Sequence, residues 1–113
     1  MIELELPWPP SNNTYYRHVG NRTLLSKKGR EYRELVKVLV HPMGMTGRIA
    51  LFARFCPPDR RRRDLDNHFK ALLDALVHAG VMADDEQIDH LVAIRGPVVK
   101  GGKITVTVGE IAA

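Results

Sequence analysis

The chain has 113 residues, enough for one domain with a real core, and its 44% hydrophobic content argues against disorder. A formal net charge of +4 favours a polyanionic partner, while the single cysteine, Cys56, excludes an intramolecular disulfide framework and a Cys-rich zinc site. No apolar run approaches the roughly 18 residues of a membrane span, and MIELELPWPP lacks the cationic flank and apolar stretch of a secretory signal, so the expected compartment is the reducing cytoplasm.

Ile2, Leu4, Leu6 and Trp8 alternate with Glu3 and Glu5, the pattern of a half-buried strand. Pro7, Pro9 and Pro10 end it, and Ser11-Asn12-Asn13 reads as a turn. Ser26 is placed to cap a helix running to about Val40, with Tyr32, Leu35, Val36 and Leu39 on its apolar face. Pro42, Gly44 and Gly47 mark the loop that follows. A second strand takes in Ile49, Leu51, Ala53 and Phe55 and stops at Pro57-Pro58. The clearest helix runs from about Asn67 to Ala79, where Phe69, Leu72, Leu73, Leu76 and Val77 repeat at helical spacing before Gly80. Two strands close the chain, about Ile88 to Val99 and Lys103 to Ile111, and Gly101-Gly102 between them suits a two-residue hairpin. These elements predict a single α+β domain with two main helices packed on a small mixed sheet.

The chemistry concentrates in residues 59 to 67, DRRRRDLDN. In an extended stretch Asp64 and Asp66 share a side while Leu65 turns inward. Asp66 also falls at or beside the N-cap of the following helix, which is the plain structural alternative. Two carboxylates held close raise the pKa of one of them unless a cation intervenes, and hard Mg²⁺ prefers such oxygen ligands. A third acid is available in Asp84-Asp85-Glu86. A helix of about 13 residues is about 20 Å long, whereas Val81 to Asp85, extended back along it, covers about 17 Å. Closure is feasible within one chain, or a partner subunit supplies the acid; the structural alternative is an exposed acidic turn.

Lys70 follows Asp66 by four positions, on one helical face, either as an ordinary i,i+4 pair or as an ammonium beside a metal-bound phosphate. Asp74 and His78 continue the stripe as its polar flank. Arg60, Arg61, Arg62 and Arg63 form either a solvated basic loop or a phosphate grip whose affinity weakens with salt. Metal-binding carboxylates beside phosphate-binding arginines suit metal-assisted phosphodiester hydrolysis. Tyr15 and Tyr16 are candidates for base stacking, although at least one is expected in the core. The histidines show no metal-protease spacing, and no Walker or GxGxxG loop is present, so no nucleotide cofactor is expected.

LPWPPSNNTYYRH (residues 6 to 18), DRRRRDLDNHFKALLDAL (59 to 76), AGVMADDEQI (79 to 88) and the ending KGGKITVTV together resemble the RusA family of Holliday-junction resolvases, over nearly the whole chain. The resemblance implies a homodimeric, Mg²⁺-dependent endonuclease, with Mn²⁺ as a substitute metal. It would resolve four-way branched DNA by paired symmetric nicks that leave 5′-phosphate and 3′-hydroxyl ends, in recombination and repair. By matching position it implies Asp64, Asp66 and Asp85 as catalytic, metal-holding carboxylates, Lys70 as the catalytic lysine, and Arg63 with its neighbours as the basic run beside them. Such proteins often reside in prophages. A DNA-binding protein without catalysis, and a metal-dependent nuclease on another structured nucleic acid, are the competing readings; only the resemblance favours branched DNA.

Overall fold

The computed structural model of the protein describes residues 1–112. Strand β1 (Ile2–Pro7) leads through a single-turn helix α1 (Asn12–Tyr15) into a separate hairpin of β2 (Tyr16–Val19) and β3 (Arg22–Leu25). Helix α2 (Lys27–Leu39), strand β4 (Ile49–Cys56) and helix α3 (Phe69–His78) follow. A 3-10 turn, Asp85–Gln87, opens β5 (Ile88–Arg95), and β6 (Lys103–Glu110) ends the fold.

The main sheet is mixed, in the order β1-β6-β4-β5. β6 is antiparallel to both β1 and β4, and β4 is parallel to β5. A parallel pair needs a crossover, and α3 supplies it by returning the chain from the end of β4 to the start of β5. The α+β class and the mixed sheet therefore agree with the sequence pattern, but the closing hairpin does not. β4 lies between β5 and β6. The intervening loop crosses the end of β4, where Gly96 N donates to Phe55 O at 2.7 Å and Val99 N to Pro57 O at 2.9 Å. The paired glycines still turn the chain, with φ of +80° and +73°, and a side chain on Gly102 would meet Trp8 Cβ at 2.8 Å. A strand continuing to Val99 is likewise excluded, since β5 ends before Gly96-Pro97.

One face of the sheet is buried. Leu6, Leu51, Ala53, Phe55, Ile104, Val106 and Val108 meet Tyr32 and Val36 of α2 and Leu72, Ala75 and Leu76 of α3 in one core cluster. Each fully buried Leu or Val contributes roughly 1.5–3 kcal/mol relative to exposure. The apolar period of α2 predicts Leu35 and Leu39 on that face, but they are 46% and 54% exposed. The helix turns only its Tyr32–Val36 edge to the core, and Tyr32 fixes the rotation by donating to Pro7 O at 2.8 Å. Cys56 is buried and free, as expected of a lone thiol.

Ser26 caps α2, its hydroxyl accepting from Gly29 N at 3.0 Å. At the C-terminus of α3, Gly80 N reaches Val77 O and Val81 N reaches Leu76 O, both at 3.0 Å. This double closure requires a left-handed residue, and Gly80 adopts φ +83°. α3 itself begins two residues later than its hydrophobic period predicts, at Phe69, because residues 65–68 form turns rather than helix.

Candidate active site

The arginine run is anchored rather than floating. Arg63 folds back on Asp59, with Nη1 2.7 Å from Oδ1, and its guanidinium lies 5.9 Å from the Trp8 ring centroid. Arg61 N also donates to Asp59 Oδ1 at 2.9 Å. The Arg63 guanidinium, then the Arg61 amide, hold the Asp59 carboxyl below the usual range. Arg95 donates to Arg63 O at 3.0 Å, tying the loop to β5. Arg60 and Arg62 are exposed and make no ion pair among the described residues. Four like residues in sequence thus divide into one positioned arginine, one partly engaged, and two free.

Asp64 and Asp66 are exposed on either side of half-buried Leu65, which packs against the core, as the alternation predicts. Capping does not explain Asp66. The N-cap position belongs to His68, which makes no side-chain capping bond, and only the backbone O of Asp66 approaches the helix, 3.5 Å from Phe69 N. The shared helical face of Asp66 and Lys70 is corrected for the same reason: only Lys70 is in the helix. Among the described residues the Asp64 and Asp66 carboxylates receive no hydrogen bond and make no ion pair, although four arginines precede them.

Two residues overlooked by sequence pattern hold this segment. Asn12, read as a turn residue, is the first residue of α1 and spans a separation of more than 50 residues. Its N donates to Asn67 O at 2.7 Å, its Nδ2 approaches Asp66 O at 3.5 Å, and its Oδ1 accepts from Lys70 N at 3.2 Å. It thereby takes the place of the missing cap of α3. The available signal was the pair Ser11 and Thr14, in which Ser11 caps α1 by accepting from Thr14 N at 3.3 Å. His68 is buried beneath, its ring 4.6 Å from that of Trp8 and its Nδ1 3.1 Å from Pro9 O. Burial pushes its pKa down, so it sits neutral against the core.

The acids beyond α3 are differentiated. Asp84 is engaged in structure: it caps the 3-10 turn, accepting from Glu86 N at 3.1 Å, while Gln87 Oε1 reaches back to Asp84 N at 3.0 Å. That backbone bond, followed by one with Asp85, pulls its pKa down. The Asp85 carboxyl is pushed up by burial first, then by its hydrogen bond with Asp84 and the Asp84 charge; Lys70 acts in the opposite sense and Asp74 adds to the rise. The 3-10 turn that carries Asp85 packs against α3, so the segment after Gly80 does turn back towards that helix within one chain.

Asp74 and His78 are more than a flank. Tyr15, fully buried, donates to Asp74, and Arg33 Nε lies 3.7 Å from the same oxygen. Arg33 Nη2 meets His78 Nδ1 at 2.7 Å, and His78 Nε2 lies 3.2 Å from Glu34. Burial raises the Tyr15 pKa, with the Asp74 bond second, keeping the hydroxyl a donor. Tyr16 packs edge-on against Tyr15 at 4.9 Å, half-buried, so neither tyrosine is a free stacking platform.

Among the described residues no three His, Cys, Asp or Glu side chains converge tightly enough to form a metal-holding group. The donor set still fits Mg²⁺ in its usual form, which takes one or two carboxylates and completes its shell with waters and substrate phosphate rather than an all-protein cage. Asp64 and Asp66 offer unengaged hard oxygens, and Asp85 is an acid whose ionised form the fold disfavours, so a cation arriving there would offset what burial and Asp84 impose.

Unengaged carboxylates, free arginines and a lysine at a helix start define a class of protein suited to phosphodiesters. The family model for endodeoxyribonuclease RusA matches residues 7–109. The chain is 42% identical over 111 residues to proteins named crossover junction endodeoxyribonuclease RusA from Shigella sonnei and Escherichia coli K12, covering 95% of this chain and 92% of each relative. A protein of that name from Enterobacteria phage HK97 is 42% identical over 110 residues, covering 94% of this chain and 92% of its own. This chain belongs to the RusA endodeoxyribonuclease family.

Proposed function

We propose that the protein is a Mg²⁺-dependent, structure-selective endonuclease that resolves four-way DNA junctions by paired symmetric nicks. The observation that carries this reading is the pair of exposed carboxylates, Asp64 and Asp66, left without a partner directly beside a run of arginines. A binding protein whose acids merely cap a helix or balance arginines would engage them. Here Asp59 does the balancing, and Asn12 the capping.

Arg60 and Arg62, with Arg61, seat the backbone of the cut strand, and Arg63 holds their loop against Asp59 and Trp8. Asp64, Asp66 and Asp85 would hold Mg²⁺, which when bound supplies Lewis-acid charge and a water of lowered pKa. Water oxygen replaces the 3′ oxygen on phosphorus; its proton leaves, and a proton reaches the departing 3′ oxygen, giving 5′-phosphate and 3′-hydroxyl ends. Lys70, in the first turn of α3, sets a positive charge where the phosphate gains negative charge. Two copies acting as a homodimer bring two such sites to a pseudo-two-fold substrate, so that each subunit makes one nick.

The test is cleavage of a synthetic mobile junction with Mg²⁺ or Mn²⁺, against linear duplex and single strand. Symmetric, metal-dependent nicks confined to the branch are expected, with Asp66→Asn binding the junction and failing to cut it. Wild-type cutting by Asp66→Asn, or tight binding by the native protein with no cutting under either metal, overturns the reading.

A further inference from the structure

The β2–β3 hairpin plays no part in the site described above, yet it lies in a long stretch of the chain that carries positive charge and no acid. From Glu5 to Glu31 there is no intervening acid, while Arg17, Arg22, Lys27, Lys28 and Arg30 fall within that interval. Lys27 pairs with Glu31 at 3.9 Å and Arg30 donates to Leu25 O at 2.8 Å. Arg17 and Arg22 are exposed and make no ion pair or hydrogen bond with side chains or backbone acceptors among the described residues. Elsewhere Arg33, Arg48 and Arg63 are all drawn onto acids of the fold.

The register sets those two arginines together. Arg17 pairs with Leu24 and Val19 with Arg22, so Arg17 and Arg22 are diagonal neighbours on one face, about 7–8 Å apart. The opposite face carries Tyr16 and Leu25, which pack against the core, so the arginine face is the outward one. The base of the ribbon is pinned. Ser26 N donates to Tyr15 O at 2.9 Å and Ser26 Oγ to Thr14 O at 2.6 Å. α2 approaches so closely there that a side chain on Gly29 would meet Tyr15 O at 2.7 Å. The same α1 turn holds Asn67 and Lys70 through Asn12. From that base, four residues reach about 13 Å. A two-stranded ribbon of this kind fits the major groove, which is about 12 Å wide.

We propose that the β2–β3 ribbon is a second DNA-contact surface, holding through Arg17 and Arg22 the phosphates of the DNA arm that flanks the cut strand. The proposal rests on the junction-nuclease reading and adds to it the means by which an arm is oriented relative to Asp64 and Asp66. Because α1 carries both the ribbon and the Asn12 clamp, DNA held by the ribbon is held in register with the carboxylates.

The experiment measures junction binding by anisotropy against salt, without divalent metal, for wild type, Arg17→Ser/Arg22→Ser, Arg17→Lys/Arg22→Lys, and a charge-matched control, Lys37→Ser/Lys100→Ser. The serine pair is expected to bind roughly tenfold more weakly, with the log–log salt slope shallower by about 2, one for each phosphate no longer neutralised. The lysine pair should keep the slope, and the control should bind as wild type. Wild-type affinity and slope in the serine pair overturn the proposal, as does an equal weakening in the control, which would reduce the effect to net charge. Failure of the native protein to bind junctions at all would instead remove the nuclease reading on which the proposal stands.

Discussion

Two of the places where arginines lie near carboxylates on this molecule have opposite outcomes. At the start of β4, Arg48 lies 3.2 Å from Glu86 and 2.6 Å from Asp89 and also donates to Glu86 O at 2.6 Å, stapling the 3-10 turn and the start of β5 to the neighbouring strand. Asp89 is held below the ordinary carboxyl range by the Arg48 hydrogen bond, and Arg48 is itself raised. In residues 59–66 the same residue types lie closer in sequence, yet Asp64 and Asp66 remain unengaged while Asp59 takes the charge. Proximity in the chain did not make a pair; backbone direction did. The first arrangement is complete within the fold, whereas the second leaves oxygens for something that arrives.

Several substitutions press on that contrast. The largest effect belongs to Asp64→Asn and Asp66→Asn, each expected to lower single-turnover junction cutting by at least about 10²–10³-fold, the scale of losing a group that stabilises developing charge. Gel-shift affinity should hold, and thermal stability should not fall, because neither carboxylate is bonded within the fold. A pronounced fall in Tm would place them with Arg48 as structural acids.

Asn12→Ala comes next. Loss of the surrogate cap is expected to destabilise the protein by about 1 kcal/mol, and release of the Asp66–Lys70 segment to slow cutting roughly tenfold. Asn12→Asp keeps the acceptor for Lys70 N but loses the donor towards Asp66 O. It should restore Tm without restoring the rate, and recovery of both would make Asn12 a cap and nothing more.

Arg48→Ala should do the reverse of the aspartate substitutions, lowering Tm slightly while leaving salt-dependent DNA affinity unchanged. The smallest effect is in pH. Asp89 has a lower pKa folded than its ordinary 3.8, so the unfolded chain binds more protons between the two values. Its contribution is present above pH 3.8 and is lost as pH falls through the folded value. Arg48→Ala should therefore lessen the decline of Tm in that acid window, seen by thermal melts from pH 5 downward.

Much of this was legible in the linear pattern. The alternation in β1 and β4, the helical period of α3, the Ser26 cap and the Gly80 stop are local physics, each decided within a few residues. The outward aspect of Asp64 and Asp66 follows from the same two-residue period, with Leu65 as the inward anchor. Leu35 and Leu39 misled because an apolar period gives a face of the helix without saying how much of it a core covers. The 16–25 hairpin escaped notice because its four-residue strands are mostly exposed and carry little hydrophobic contrast, although Gly20-Asn21 marks their turn.

What the sequence determined by itself was most of the inventory: the two long helices, the four strands of the main sheet to within a few residues, and which side chains carry charge chemistry, since those depend on backbone sterics and short-range periodicity. The tertiary structure decided the partners. It inserted β4 between β5 and β6 where Gly101-Gly102 promised a hairpin, assigned Asp84 rather than Asp85 to a cap, and brought Asn12 to the start of α3. Each of these joins groups far apart in the chain, or selects between equivalent neighbours, and the energy that selects them is burial and hydrogen bonding summed over the whole core rather than a preference any one residue carries.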